Sequence, residues 1–175
     1  MRDELICNDK YTQEIFQKVI LMKDLSHWQK ISDFMATIKL EIVSPRRGEI
    51  FSQDIDMLIV RSTAGELGIL PKHARLLTEL IPHVGRIKAN GTENQIAISG
   101  GFMEVTPDLI TILADAAELP DNIDVDRAKA AYTRAQDRIT AFKNSPKESD
   151  IDIKRAEAAL ARAKARLLVK NVPVS

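Results

Sequence analysis

The sequence predicts an α+β fold: an N-terminal antiparallel β-sandwich followed by a C-terminal antiparallel two-helix hairpin. Three observations carry this. Short segments between residues 37 and 113 alternate apolar and polar side chains, the period of a half-buried strand. Turn residues punctuate them at roughly ten-residue spacing, as in sandwiches and barrels. Beyond residue 120 the apolar period changes to three and four, and alanine dominates the apolar positions.

The strand segments follow in order. Ile38, Leu40 and Ile42 alternate with Thr37, Lys39 and Glu41 until Ser44-Pro45-Arg46-Arg47-Gly48 breaks the pattern. Met57-Leu58-Ile59-Val60 is a short apolar run that suits a buried strand. Arg86-Ile87-Lys88 and Gln95-Ile96-Ala97-Ile98-Ser99 flank Asn90-Gly91, a pair that accepts positive φ and so marks a hairpin. Gly100-Gly101 marks a bulge or bend before Phe102-Met103-Glu104-Val105. Thr106-Pro107-Asp108 then turns the chain into Leu109-Ile110-Thr111-Ile112-Leu113. Several short strands at this spacing suggest an antiparallel sandwich or barrel, and no strand–helix–strand alternation occurs.

The first helix begins at Asp124, whose carboxylate can cap free N–H groups, with Asp126 at the positive end of the dipole. Ala128, Ala131, Ala135, Ile139 and Phe142 recur on one face, and Asn144-Ser145-Pro146 stops the helix. A second helix begins near Asp150 or Asp152 and carries Ala156, Ala159, Leu160, Ala163 and Leu167. Arg162, Lys164, Arg166 and Lys170 crowd its negative dipole end. An alanine seam lets helices approach closely but buries little area, each missing CH₂ forgoing about 0.8 kcal/mol. Such a hairpin is marginal alone, so it is expected to dock reversibly on something else, as a mobile arm.

Composition narrows the function classes. Lys plus Arg and Asp plus Glu both number 25 in 175 residues, and the zero balance argues against a generic polyanion binder. The balance is uneven along the chain. Residues 1–34 carry 5 basic and 6 acidic side chains, residues 35–120 carry 8 and 11, and residues 121–175 carry 12 and 8. These stretches are read as an extension (−1), the sandwich domain (−3) and the hairpin domain (+4). The single cysteine, Cys7, is read as an incidental thiol. No apolar run approaches the ~18 residues of a membrane span, and the acidic start Met1-Arg2-Asp3-Glu4 is unlike a signal peptide. A soluble, intracellular-type chain is expected.

Catalytic signatures are missing. His27, His73 and His83 lie in separate segments, and no P-loop or G-x-S-x-G elbow is present. Asp115, Glu118, Asp121 and Asp124 match no calcium loop and read as a loop and helix cap. The prediction is therefore no catalytic residue and no metal site. The basic last helix lacks the aromatic platforms of a nucleic-acid binder.

The most specific stretch is Ser62 to Thr78. Gly65-Glu66-Leu67-Gly68 reads as a tight turn presenting Glu66 and Leu67 outward, and Pro71-Lys72-His73 as a second turn. This segment resembles the G-E-x-G-I-L-P-x-H motif of the ε subunit of bacterial F-type ATP synthases. The resemblance continues through Ser99-Gly100-Gly101-Phe102-Met103-Glu104-Val105, the strand end Thr111 to Ala117, and the I-D-x-x-R-A helix start at Ile123 to Ala128. It covers about residues 35–170. Met35-Ala36-Thr37-Ile38 looks like the family's ordinary N-terminus, which favours translation from Met35. The amphipathic stripe Ile15, Phe16, Val19 and Ile20 would instead suit a genuine extra helix.

That resemblance implies a ten-stranded sandwich in a non-catalytic subunit of the rotating central stalk, bound to the γ subunit and the c-ring. It implies coupling of c-ring rotation to ATP synthesis. The hairpin would either reach the catalytic α/β head and restrain ATP hydrolysis or fold down beside the sandwich. Location at the cytoplasmic face of the bacterial plasma membrane follows, with the membrane touched only through the complex. Glu66, Leu67, Gly68 and His73 become stalk or c-ring contacts. No cofactor is required, but family members with a folded-down hairpin bind regulatory ATP, with or without Mg. The matching residues are Glu118, Ile123, Asp124, Arg127 and Ala128, joined by Arg162 and Arg166. Arg134 lies seven residues after Arg127 on the same helix face. Guanidinium groups converging from two helices could hold phosphates; alternatively these arginines are solvated or face partner subunits. A stand-alone ATP-sensing adaptor is the competing functional reading.

Overall fold

The computed structural model describes residues 37–144 and 152–174. The expectations for the extension, its start at Met35 and Cys7, and for the loop between the helices, lie outside the described residues.

Ten strands precede two helices. They are β1 (Ile38–Ser44), β2 (Gly48–Ile55), β3 (Met57–Ser62), β4 (Gly65–Ile69), β5 (Leu76–Leu80), β6 (His83–Ala89), β7 (Thr92–Ile98), β8 (Gly101–Val105), β9 (Leu109–Ala114) and β10 (Ala117–Glu118). A 3₁₀ turn at Pro120–Asn122 leads into α1 (Val125–Asn144) and then α2 (Ile153–Val169). The sheet order is β10-β7-β6-β3-β5-β8-β9-β1-β2, with β4 on β3. Only the pair Ser62–Leu80 joins β3 to β5. The sheet turns a corner there into two facing layers, and their inner faces form one aliphatic core. Ile38, Leu40, Ile42, Ile110 and Ile112 from one layer meet Leu58, Ile87, Ile96 and Ile98 from the other. The period-2 alternation of β1 and β9 is thus the core pattern itself.

The pairing departs from the expected pattern once. β1 and β9 run parallel, Lys39 opposite Leu109 through Val43 opposite Leu113, while every other described pair is antiparallel. The absence of strand–helix–strand units does not forbid a parallel pair, because β2 to β8 themselves supply the long return connection. A second correction concerns Gly65 to Gly68. These residues are not a turn but part of β4, paired residue by residue with β3. The turn lies just before, where Ser62 Oγ accepts from Ala64 N and donates to Gly65 O. Leu67 is accordingly half-buried against the core, not outward-facing. The Asn90-Gly91 hairpin forms as expected, at φ 51° and 72°, between the paired residues Ala89 and Thr92. Gly101 has φ 132°, and a Cβ there would stand 2.1 Å from the Leu113 carbonyl oxygen, so only glycine lets β8 approach β9 this closely.

Both helices start on an aspartate cap. Asp124 Oδ1 accepts from Arg127 N, and Asp152 Oδ1 accepts from Arg155 N, each at 3.0 Å. The helices pack on each other, with Ala128, Ala135, Ala156 and Ala163 buried along α1 and α2. Helix α2 also buries a second face on β6 and β7. There Ala165 and Val169 join Ala97 and Ile123, with Val84 alongside. The hairpin is folded down on the sandwich.

Candidate functional site

An open cleft of about 250 Å³ lies where hairpin and sandwich meet. The sandwich contributes Arg47, from the β1–β2 turn, and Glu118, from β10. The hairpin and its lead-in contribute Asn122, Asp124, Arg127, Ala128, Ala131, Arg134 and Arg166. Helical spacing explains the α1 set. Asp124, Arg127, Ala128, Ala131 and Arg134 recur every three or four residues, so one face of α1 forms a wall. Its small alanines leave room between Arg127 and Arg134, whose backbone positions stand about 10 Å apart along the helix axis.

The electrostatics of the cleft are one-sided. Four arginines face two carboxylates. One arginine is committed: Arg166 donates from Nη2 (2.8 Å) and Nε (3.1 Å) to Glu118 Oε1, and from Nη2 to Ser99 Oγ at 3.4 Å. Both partners are largely buried, with side chains 23% and 18% exposed. The guanidinium groups of Arg47, Arg127 and Arg134 make no hydrogen bond or ion pair with any described residue. Chemically, the cleft offers an anion planar, permanently charged donors from several sides.

Of the eight residues expected around ATP, six line this cleft: Glu118, Asp124, Arg127, Ala128, Arg134 and Arg166. Ile123 is buried in the apolar cluster with Ala97, Ala165 and Val169. Arg162 is half-buried one turn before Arg166 and is not part of the lining. Sequence reasoning missed Arg47, Asn122 and Ala131 as lining residues, having placed Ala131 only on the apolar face of the helix. No local signal marks Arg47, because its place depends on the parallel pairing of β1 with β9. Parallel strands end on the same side of a sheet, so the turn after Ser44 emerges beside the segment that leads from β9 to Glu118. Ser44 Oγ donates to Asp115 O at 3.4 Å across that junction. Among the described residues no group of three His, Cys, Asp or Glu side chains is arranged to hold a metal ion.

The four expected interface residues occupy one edge strand and the turn beyond it. Glu66 is exposed on β4 and accepts from Arg86 Nη2 at 2.8 Å. Gly68 is exposed on β4, and the one atom a Cβ there would crowd is the flexible Met57 Cε, at 2.9 Å. His73 closes the Pro71-Lys72 turn, its N–H donating to Leu70 O at 3.2 Å. Elsewhere on the sandwich, Leu77, Phe102 and Leu113 are 73%, 56% and 57% exposed. Phe102 pairs directly with Leu113, and its other neighbour Glu79 lies two residues from Leu77. The three form an apolar row on the outer face of one layer.

Comparison with known proteins accords with this architecture. Residues 37–120 match the family described as ATP synthase, Delta/Epsilon chain, beta-sandwich domain, and residues 121–171 match its long alpha-helix domain. The ATP synthase epsilon chain of Alkalihalophilus pseudofirmus is 52% identical over 109 residues, 62% of this chain and 81% of that one. That of Bacillus subtilis is 46% identical over 107 residues, 61% of this chain and 80% of that one. A chain in the cryo-EM structure of the Euglena gracilis mitochondrial ATP synthase (OSCP/F1/c-ring, rotational state 1) shares the fold at 21% identity. Its TM-score is 0.61, over 74% of this chain and 79% of that one. The chain described here belongs to the ATP synthase delta/epsilon family as an epsilon chain of the bacterial F-type enzyme, a regulatory and structural subunit and not a catalytic one.

Proposed function

We propose that this epsilon chain joins the γ subunit and the c-ring in the central stalk at the cytoplasmic face of the bacterial plasma membrane. There it couples c-ring rotation to ATP synthesis, and its hairpin acts as a nucleotide-controlled brake on ATP hydrolysis. The carrying observation is where the arginine cleft lies: on the seam between the docked hairpin and the sandwich, with walls from both. A ligand held there is in contact with two parts that must separate if the hairpin is to reach the catalytic head.

The energetics favour a reversible brake. The apolar contact between α2 and the sandwich uses Ala97, Ile123, Ala165 and Val169, two of them alanines. Little area is lost when such side chains separate. One largely buried ion pair, Arg166–Glu118, adds direction to the docking. Binding of ATP, with or without Mg, would stabilise the folded-down form by mass action. The apolar row of Leu77, Phe102 and Leu113, together with Glu66, Gly68 and His73, offers surfaces for the stalk and the c-ring. The basic hairpin suits an acidic surface on the catalytic head.

Calorimetric titration of the full chain with ATP tests the cleft, with Arg127→Gln and Arg166→Ala as variants. Both should weaken binding at least about tenfold, the loss of one charge-assisted contact. Undiminished binding by both variants would remove the site. In the reconstituted complex, a chain truncated before Asp121 should assemble and hydrolyse ATP faster than the full-length form. Unchanged hydrolysis after truncation counts against the brake.

A further inference from the structure

Arg47 differs from the other cleft arginines in its origin, because it comes from the sandwich and not from the hairpin. We infer that Arg47 is a phosphate-binding residue, through which a nucleoside triphosphate in the cleft ties the sandwich directly to the hairpin. This rests on the ATP reading of the cleft given above.

Its turn is held firmly. Arg47 N donates to Ser44 O at 3.2 Å, and Ser44, 2% exposed, donates from Oγ to Asp115 O at 3.4 Å. Gly48, at φ 70°, closes the turn. The backbone beneath Arg47 is therefore fixed against the same segment that carries Glu118. Arg46 is its neighbour in sequence yet does not line the cleft, so the geometry selects one of two adjacent arginines.

The charges explain what such a residue would do. Arg47, Arg127 and Arg134 have no carboxylate partner among the described residues, and they repel one another across open space. A chain of phosphates carries oxygens far enough apart to accept from guanidinium groups on opposite walls, and each contact is charge-assisted. Glu118, the acid on the sandwich side of the cleft, is already paired with Arg166 and does not quench Arg47. The sandwich therefore presents a free cation to a ligand that the hairpin also grips. Bound polyphosphate becomes a latch across the seam, in addition to the Arg166–Glu118 pair.

The experiment titrates the full-length protein with ATP and, separately, with inorganic tripolyphosphate, comparing Arg47→Gln, Arg46→Gln and Arg127→Gln with the unaltered chain. Hydrogen exchange of α2 amides with and without ATP provides a second readout. Arg47→Gln should weaken ATP and tripolyphosphate about tenfold and shrink the ATP-induced protection of α2. Arg46→Gln should stay within about twofold, the size of general screening effects. If Arg127→Gln loses ATP while Arg47→Gln binds it normally, the latch is overturned and the cleft reading stands. Equal losses from Arg46→Gln and Arg47→Gln also overturn it, since nonspecific surface charge then accounts for the effect. Arg47-dependent binding of tripolyphosphate without binding of ATP would sustain Arg47 as a phosphate ligand and defeat the ATP reading. Binding of neither probe defeats both.

Discussion

Arg166 places Nε and Nη2 on a single oxygen of Glu118, at 3.1 and 2.8 Å, joining α2 to the last strand of the sandwich. This is the one ion pair among the described residues that links hairpin to sandwich. Glu118→Gln keeps the shape and removes the charge, and should cost about 1.5–3 kcal/mol of docking, as for a hydrogen bond to a charged group. Faster hydrogen exchange in α2 with unchanged exchange in β1 and β9 would report undocking without loss of the sandwich. Uniform acceleration would mean that the hairpin and sandwich unfold as one unit.

Ala163 and Ala165 are two residues apart, about 200° around the helix, so they face different neighbours. Ala165→Leu should force α2 away from β6 and β7, leaving the helices paired. Ala163→Leu should instead wedge α1 from α2. Either overpacking should cost about 1–3 kcal/mol. Circular dichroism should show retained helix in the first case and an earlier loss of helix in the second. Identical melting behaviour would contradict the two-faced packing of α2.

Gly101→Ala places a methyl group on the Leu113 carbonyl at a φ that side chains rarely adopt. A loss of roughly 2–4 kcal/mol in urea unfolding is expected, from strain and overpacking together. By contrast, Gly91→Ala meets no atom within 4 Å and pays for its φ of 72° alone, so it should cost only about 1–2 kcal/mol. The reverse order of stability would count against the close approach of β8 to β9.

Asp152→Ala removes the cap of α2 and should cost about 1 kcal/mol of helix stability. Asp152 does not line the cleft, so nucleotide affinity should change little. Asp124→Ala removes the equivalent cap of α1 and also a carboxylate from the cleft wall. The two variants should therefore match in thermal stability and differ in titration with ATP.

The strands that were legible in the sequence bury one face and expose the other. Ile38, Leu40 and Ile42 in β1, and Ile110, Ile112 and Ala114 in β9, do this plainly. Strand β2 escaped notice because Ile55 is its only fully buried residue. Strand β5 was hidden by Leu77, an apolar side chain on the outer face that breaks the alternation. The glycines of β4 look like turn residues in sequence, and only their pairing with Ser62 and Ile59 of β3 makes them a strand. The hairpin's own seam followed from alanine periodicity, but its second buried face, Ala165 and Val169, depends on the sandwich beneath it. The cleft divides the same way. Its α1 wall is a helical repeat and can be read locally, whereas Arg47 is brought in by strand pairing over a long sequence distance.

The parallel union of β1 and β9 also sets an order of manufacture. Seven strands are synthesised between these partners, at roughly 5–20 residues per second. Until β9 has left the ribosome, β1 can pair only with β2, and its other edge stays open to wrong partners. The sandwich is thus completed by almost the last strand made, and contacts so distant along the chain fold slowly.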